Sequence, residues 1–310
     1  MAVVFAAPLQ PPAPPINWVG LDMQWIGWDG SVWSLSTSAD GTVMMPGVRG
    51  LAMPPVIHHR AAHASLPGAR WRSSTIDVRE VFWPLQVYTN AGSEEWVLKD
   101  RAFWNTMHPA KLGTWVVTHP GGTQRKLKLR FMNDGEGSFT HDSILEGWNN
   151  YGITLAAEQP FWEGESVSKT FTKAGTEAPF FTGGGGPAFT ISPGDTLPTA
   201  SIANPGDVEA WPVWRITGPV TSTSVGVNGR SISLPFTIAA GDVVEVNTDP
   251  GAQTAMKGTV GGPLSADWTS QLGSIDFAPV PPGASATLNL AIEGTGTIEC
   301  TINARYYRAW

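Results

Sequence analysis

Four short stretches of this chain carry residue types that could do chemistry. The first, "SVSK" from Ser166 to Lys169, fits the S-x-x-K nucleophile pattern, in which a serine opening a helix meets a lysine one turn on that serves as its base or orienter. The surrounding residues alternate as a strand does, and a strand sends positions three apart to opposite faces. The pair is therefore expected to be separated, as part of a plain edge strand. The second stretch, "IHHRAAH", gathers His58, His59 and His63. His59 and His63 would share a face on a helix, but zinc needs a third or fourth ligand. No cysteine or acidic residue lies near them, so the reading is a solvated or interface loop. Gly183 to Gly186 lack the Lys-Ser/Thr that follows in a phosphate-binding loop; Pro187 comes next, and a flexible loop is expected. Lys126, Lys128 and Arg130 share one strand face. Nucleic-acid binding would call for interleaved exposed aromatics and more cations, so this face reads as solvated or subunit-bridging. Carboxylates are plentiful, yet no pair is singled out as an acid and a base. No catalytic residue, metal ligand or cofactor site is assigned, and an enzyme is not expected.

The composition supports this. The 310 residues carry 26 acidic against 19 basic side chains, a formal charge of −7, whereas nucleic-acid binders draw most of their affinity from cations set against phosphates. The single Cys300 rules out an intramolecular disulfide and any multi-cysteine metal site. The opening "MAVVFAAPLQPPAPP" has no basic residue ahead of its short apolar run, so it does not read as an export signal. No stretch approaches the ~20 apolar residues of a membrane span, and a soluble protein is expected. Gly and Pro, 35 and 26 of them, indicate many short strands joined by tight turns.

The elements that would position these residues fall into two halves. After the proline-rich arm, Pro8 to Pro15, comes a segment crowded with Trp18, Trp25, Trp28 and Trp33. A Pro/Gly/His-rich loop is expected from Met45 to about Arg70, then a strand from Trp71 to Thr89 with Ile76, Val78 and Phe82 on one face and a bulge or bend at Pro84. The one convincing helix spans about 93–108: Ser93 serves as N-cap, Glu94 and Glu95 suit the positive end of the dipole, Glu95 can pair with Lys99, and Trp96, Phe103 and Met107 form the buried stripe. A hairpin turning at His119 to Gly122 follows, then a strand from Trp148 to Gln159 with Tyr151, Ile153, Leu155 and Ala157 on one face. Eleven of the 15 tryptophans lie at or before Trp162. The remainder is β-branched and Ser/Thr/Gly-rich, punctuated by turns such as Asn228-Gly229, and ends in a run with Ile298, Cys300, Ile302 and Ala304 facing inward. This predicts a mainly β protein: residues 1–164 as a mixed domain with one helix, and residues 165–310 as an antiparallel β-sandwich. In "AWPVWRIT" the strand period separates Trp211 from Trp214, so the two cannot form one sugar-stacking platform. Trp214 with Ile216 is expected in the core, and Trp211 at an edge or against another domain.

The order of these elements, with the helix beginning "GSEEW", the hairpin "TWVVTHPGGTQRKLKLRF", the strand ending "EQPFWEG", then "NPGDVEAWPVWRITGP" and "ARYYRAW", resembles the distal tail protein (Dit), or minor tail protein, family of long-tailed non-contractile bacteriophages. The resemblance covers nearly the whole chain. It implies a tail-tube-like N-terminal domain that forms a homohexameric ring, and a galectin-like sandwich that projects outward. It further implies a virion protein of the distal tail tip or baseplate, assembled in the host cytoplasm. There it would join the tail tube protein to the tail-associated hub or tip protein, with the tape-measure protein and fibre or receptor-binding proteins as further partners. DNA would pass through its lumen, and no membrane or cofactor is involved. Surplus tryptophan suits the apolar interfaces of such a ring; Trp18, Trp25, Trp28, Trp33, Lys126, Lys128, Arg130 and Trp211 are the candidate subunit-interface residues. The alternative is a lectin-like β-sandwich that binds carbohydrate on the host cell surface.

Overall fold

The computed structural model describes residues 18–62, 67–135, 141–173 and 197–310. The proline-rich arm, His63 and Gly183 to Gly186 lie outside the described residues. The protein is mainly β, and the chain divides into two compact units, Met1–Gly164 with Tyr306–Trp310, and Glu165–Arg305. The C-terminal residues differ from the expected division, which gave everything after 164 to the second domain. Backbone bonds explain the difference: Ala309 N donates to Leu51 O at 2.9 Å, and His119 Nε2 lies 2.7 Å from Ala309 O.

The first unit contains strands β1 (Asp22–Ile26), β2 (Val32–Ser34), β3 (Thr42–Met44), β4 (Val56–Ala62), β5 (Ala69–Ile76) and β6 (Arg79–Tyr88). Helix α1 (Ser93–Asn105), β7 (Gly113–Thr118), β8 (Gln124–Asn133), helix α2 (Ser143–Glu146), β9 (Trp148–Ala157) and the start of β10 (Trp162–Thr172) follow. Antiparallel pairing gives one layer in the order β2-β1-β7-β8-β10 and a second in the order β3-β6-β9. β8 serves both layers, pairing β7 through Gln124–Leu129 and β9 from Arg130 onward.

Alternation builds the core between these layers. Trp25, Trp115, Leu127 and Leu129 point in from the first layer; Val81, Trp83, Leu85 and Val87 point in from β6, and Tyr151, Ile153, Leu155 and Ala157 from β9. The expected face of β9 and the His119–Gly122 turn are therefore present. The expected strand from Trp71 to Thr89 is instead two strands, and its buried face is the opposite one: Val78 is 47% exposed while Val81 and Trp83 are fully buried. Pro84 marks no bulge, because the register with β9 runs unbroken through its pairing with Gly152.

The helix of the sequence reading is α1, which stops at Asn105 and leaves Met107 in the following turn. Its N-cap is Gly92, at a φ of 110°, and Ser93 is already inside the first turn and caps nothing. Trp96, Phe103 and Met107 are buried as expected. The four-residue α2 is a second helix that was not expected; the Asp142 carboxylate accepts from Ile144 N and Leu145 N, and Gly147 closes it at a φ of 74°. The expected loop from Met45 to Arg70 contains a further ribbon, β4 paired antiparallel with β5.

The second unit contains β11 (Ser201–Ala203), β12 (Val213–Thr217), β13 (Val220–Val227), β14 (Arg230–Leu234) and β15 (Asp242–Asn247). β16 (Thr254–Thr259), β17 (Leu264–Asp267), β18 (Ser285–Thr287), β19 (Ala291–Gly294) and β20 (Thr297–Tyr306) complete it. One layer runs β17-β16-β15-β12-β20 and continues into β10; β14-β13-β19 and the pair β11-β18 make up the rest. Trp214, Ile216, Val244, Val246, Ile298, Cys300 and Ile302 share one apolar core with Val225, Ile232, Leu234 and Ile292. The inward alternation of residues 298–304 is thus present. Asn228 and Gly229, with φ of 50° and 88°, make the two-residue turn between β13 and β14 that an Asn-Gly pair favours.

Candidate assembly surfaces

Every chemical candidate in the described chain resolves into structure. Ser166 Oγ donates to Asn303 Oδ1 at 2.7 Å, and Lys169 Nζ donates to Ser201 O at 2.9 Å, so neither serves the other. Cys300 is fully buried, and burial pushes its thiol up to about 12, which makes it a core residue. His58 and His59 lie on β4, where His58 Nδ1 accepts from Trp71 Nε1 at 3.3 Å and His59 Nε2 lies 3.1 Å from Thr75 Oγ1. Among the described residues no cluster of three His, Cys, Asp or Glu side chains could hold a metal ion, and no helix is long and apolar enough to cross a membrane.

The tryptophans divide by role. Trp25, Trp83, Trp115 and Trp162 form a run of ring contacts with centroids 5.3, 5.3 and 5.1 Å apart in turn. All four are at most 1% exposed. Trp25 is therefore a core residue of a single chain, anchored by Nε1 on Thr106 Oγ1 at 2.8 Å, and its place among the interface candidates is corrected. Trp18 and Trp33 pack partly buried on the same core. Trp28 stays 39% exposed, its Nε1 on Asn105 O and Lys111 Nζ 3.3 Å above its ring. In the second unit Trp214 is fully buried, while Trp211 keeps part of its surface in solvent.

The cationic face of β8 is present but partly neutralised. Lys126 and Lys128 are exposed, whereas Arg130 pairs with Glu158 at 2.5 Å and also donates to Pro109 O. Glu163 lies opposite Lys126 in the register.

Three features escaped the sequence reading. Arg79 is 1% exposed and donates only to carbonyls: Pro160 O at 2.7 Å, Gly50 O at 2.7 Å, Ala52 O at 2.5 Å and Tyr307 O at 2.6 Å. Burial pulls its guanidinium down to about 10, so it remains charged at neutral pH. A lone arginine opening an apolar strand gives no sequence signal of this role. In the same unit Tyr151 Oη donates to Asp100 Oδ1 at 2.5 Å; burial, first of all, raises both groups, the phenol to about 12. The third feature is the ribbon β4–β5, exposed at every described residue except the half-buried Ala61 and Ile76. The repeated β-compatible runs on either side of "LPG" were its only signal.

A groove on the sandwich is bordered by Ser222, Ser224, Ser233 and Glu293 and has no aromatic side chain in its wall. Sugar sites stack their ligand on aromatic faces, as the second reading of the sequence required, and this groove offers none.

The fold is similar to that of solved chains from phage baseplate hubs. It is similar to the Dit protein of phage SPP1, described as a paradigm of the hub adsorption apparatus in phages that infect Gram-positive bacteria. The TM-score is 0.59 at 14% identity, with 91% of this chain and 98% of that chain covered. It is likewise similar to a chain of the phage P2 baseplate in its activated conformation with Ca, at a TM-score of 0.54 and 13% identity over 92% and 98% of the two chains. No family model and no curated protein matches the sequence.

Proposed function

We propose that this chain is a structural protein of a phage tail, a distal tail hub. Six copies close into a ring at the distal end of the tail tube, join the tube to the baseplate or tip, and leave a lumen through which DNA passes. The first unit is the tail-tube-like ring former. The second is the galectin-like sandwich that projects outward and, with the ring, gives tip, fibre and receptor-binding proteins a surface to assemble on. The observation that carries this reading is the likeness to the SPP1 Dit fold, which extends through both units and covers 98% of that chain. The separation of Ser166 from Lys169 and the inert burial of Cys300 favour a structural over an enzymatic role.

The ring is tested by cryo-EM of virions that carry the protein. A six-fold ring at the distal end of the tube is the expected result, and a chain absent from purified particles would overturn the reading.

A further inference from the structure

Among the described residues of the first unit nothing covers the β4–β5 ribbon, and a two-stranded ribbon alone in water is marginal at best. It exposes apolar side chains on both faces, Trp71 at 57% on one and Ile57 at 47% on the other. Trp71 is nonetheless held in place, its indole N–H bonded to His58 and Arg60 directly across the strand pair on the same face. Its charge is one-sided: residues 41–76 contain four arginines, Arg49, Arg60, Arg70 and Arg72, and no Asp, Glu or Lys. With the chain at −7 and this stretch at +4, the rest of the chain carries −11. A fixed tryptophan flanked by arginines is what protein interfaces use to anchor a partner.

The complement lies elsewhere on the same unit. A cleft between β2 and α1 has Val32 and Leu98 on its walls, 56% and 53% exposed, with Asp40 and Glu95 at its edge. Lys99 is the one cation there. The cleft offers apolar surface rimmed by carboxylates, and the ribbon offers apolar surface rimmed by arginines.

We propose that the β4–β5 ribbon of one copy seats in the β2–α1 cleft of the next. The two surfaces differ, so the contact runs head to tail, which is the kind that closes a ring. The inference rests on the ring reading above and names the element and the surface that hold it together.

Cysteine pairing in assembled particles tests it. Cys300 is fully buried and stays silent. Virions carrying both Arg72→Cys and Leu98→Cys, oxidised and run without reductant, should give a ladder of covalent multiples; virions assembled from a mixture of the two single variants should stop at two chains. In purified protein, Arg60→Glu with Arg72→Glu should abolish the oligomer, and Glu95→Arg on the partner copy should restore it. A six-fold ring by cryo-EM with no ladder overturns the docking and leaves the ring standing. No ring in particles removes both. Cross-links to a different tail protein, or loss of duplex-DNA binding with the ring intact in the Arg60→Glu, Arg72→Glu variant, would also overturn the inference by assigning the ribbon another occupant.

Discussion

Replacing Arg79 by methionine keeps the length of the side chain and removes its charge and all its donors. The side chain bonds four backbone carbonyls from three separate parts of the first unit: the Gly50–Ala52 loop, the turn at Pro160 and the C-terminal Tyr307. A hydrogen bond from a charged donor is worth ~1.5 kcal/mol at the lower end, so the four together amount to ~6 kcal/mol. Against this stands the cost of burying the guanidinium, the same cost that lowers it from 12.5 to about 10. At about 1.4 kcal/mol per pKa unit, that relief is ~3.5 kcal/mol, leaving a net loss of ~2.5 kcal/mol. For a unit of this size each kcal/mol moves the melting temperature by roughly 2–4 °C. Differential scanning calorimetry of Arg79→Met should therefore show the first unit melting ~5–10 °C lower, with the transition of the second unit in place. Arg79→Lys, a cation with fewer donors, should fall between the two. A first-unit transition within ~2 °C of wild type in Arg79→Met would refute the reasoning, because it would mean that the four carbonyls find other partners at no cost.

Asp100 gives a pH signature. Burial raises its carboxyl above the ordinary 3.8, so the folded state holds its proton to higher pH than the unfolded chain. Stability from this group is fully present below 3.8 and is lost as pH rises through the raised value; the pH slope of chemical denaturation in that window should flatten in Asp100→Asn. A Cβ on Gly113 would overlap the Trp25 ring, which lies against its backbone. Gly113→Ala should therefore cost ~3 kcal/mol in urea unfolding. Trp83, fully buried between Trp25 and Trp115, should cost ~3–5 kcal/mol when changed to alanine, with loss of near-ultraviolet circular dichroism from the tryptophan run. Cys300, its thiol pushed up to about 12 by burial, should react with a thiol reagent at pH 8 only at the rate of unfolding; rapid labelling of the native protein would contradict its place in the core.

Much of the fold is legible in the sequence where one periodicity decides the structure. β9 and residues 298–304 alternate cleanly, and their buried faces follow. Trp214 is core as its place in β12 requires, whereas Trp211 precedes that strand, so parity does not act on it, and it is only partly covered. In β6, Val81, Phe82 and Trp83 are apolar in succession, so parity alone cannot choose the buried face. Only the pairing of β6 with β3 and β9 decides it. For Trp25, composition counts apolar area without telling whether it is buried within a chain or between chains, and the structure buries it within the chain. The ribbon β4–β5 carries no apolar alternation, since neither of its faces lies on the core, and period-based reading takes such a segment for a loop. Arg79 was invisible for another reason: its partners are carbonyls, which every residue has.

The return of residues 306–310 to the first unit imposes an order on synthesis. Arg79 and the loop at Gly50 emerge early from the ribosome, but the carbonyl of Tyr307 reaches them only after residues 165–305 have been made. At roughly 5–20 residues per second that delay is on the order of ten to thirty seconds. During it the first unit is missing the Tyr307 carbonyl from Arg79 and the Ala309 N–H from the Leu51 carbonyl. Only a chain synthesised through Ala309 can supply these groups, so the first unit closes last at residues that are made after the whole of the second unit.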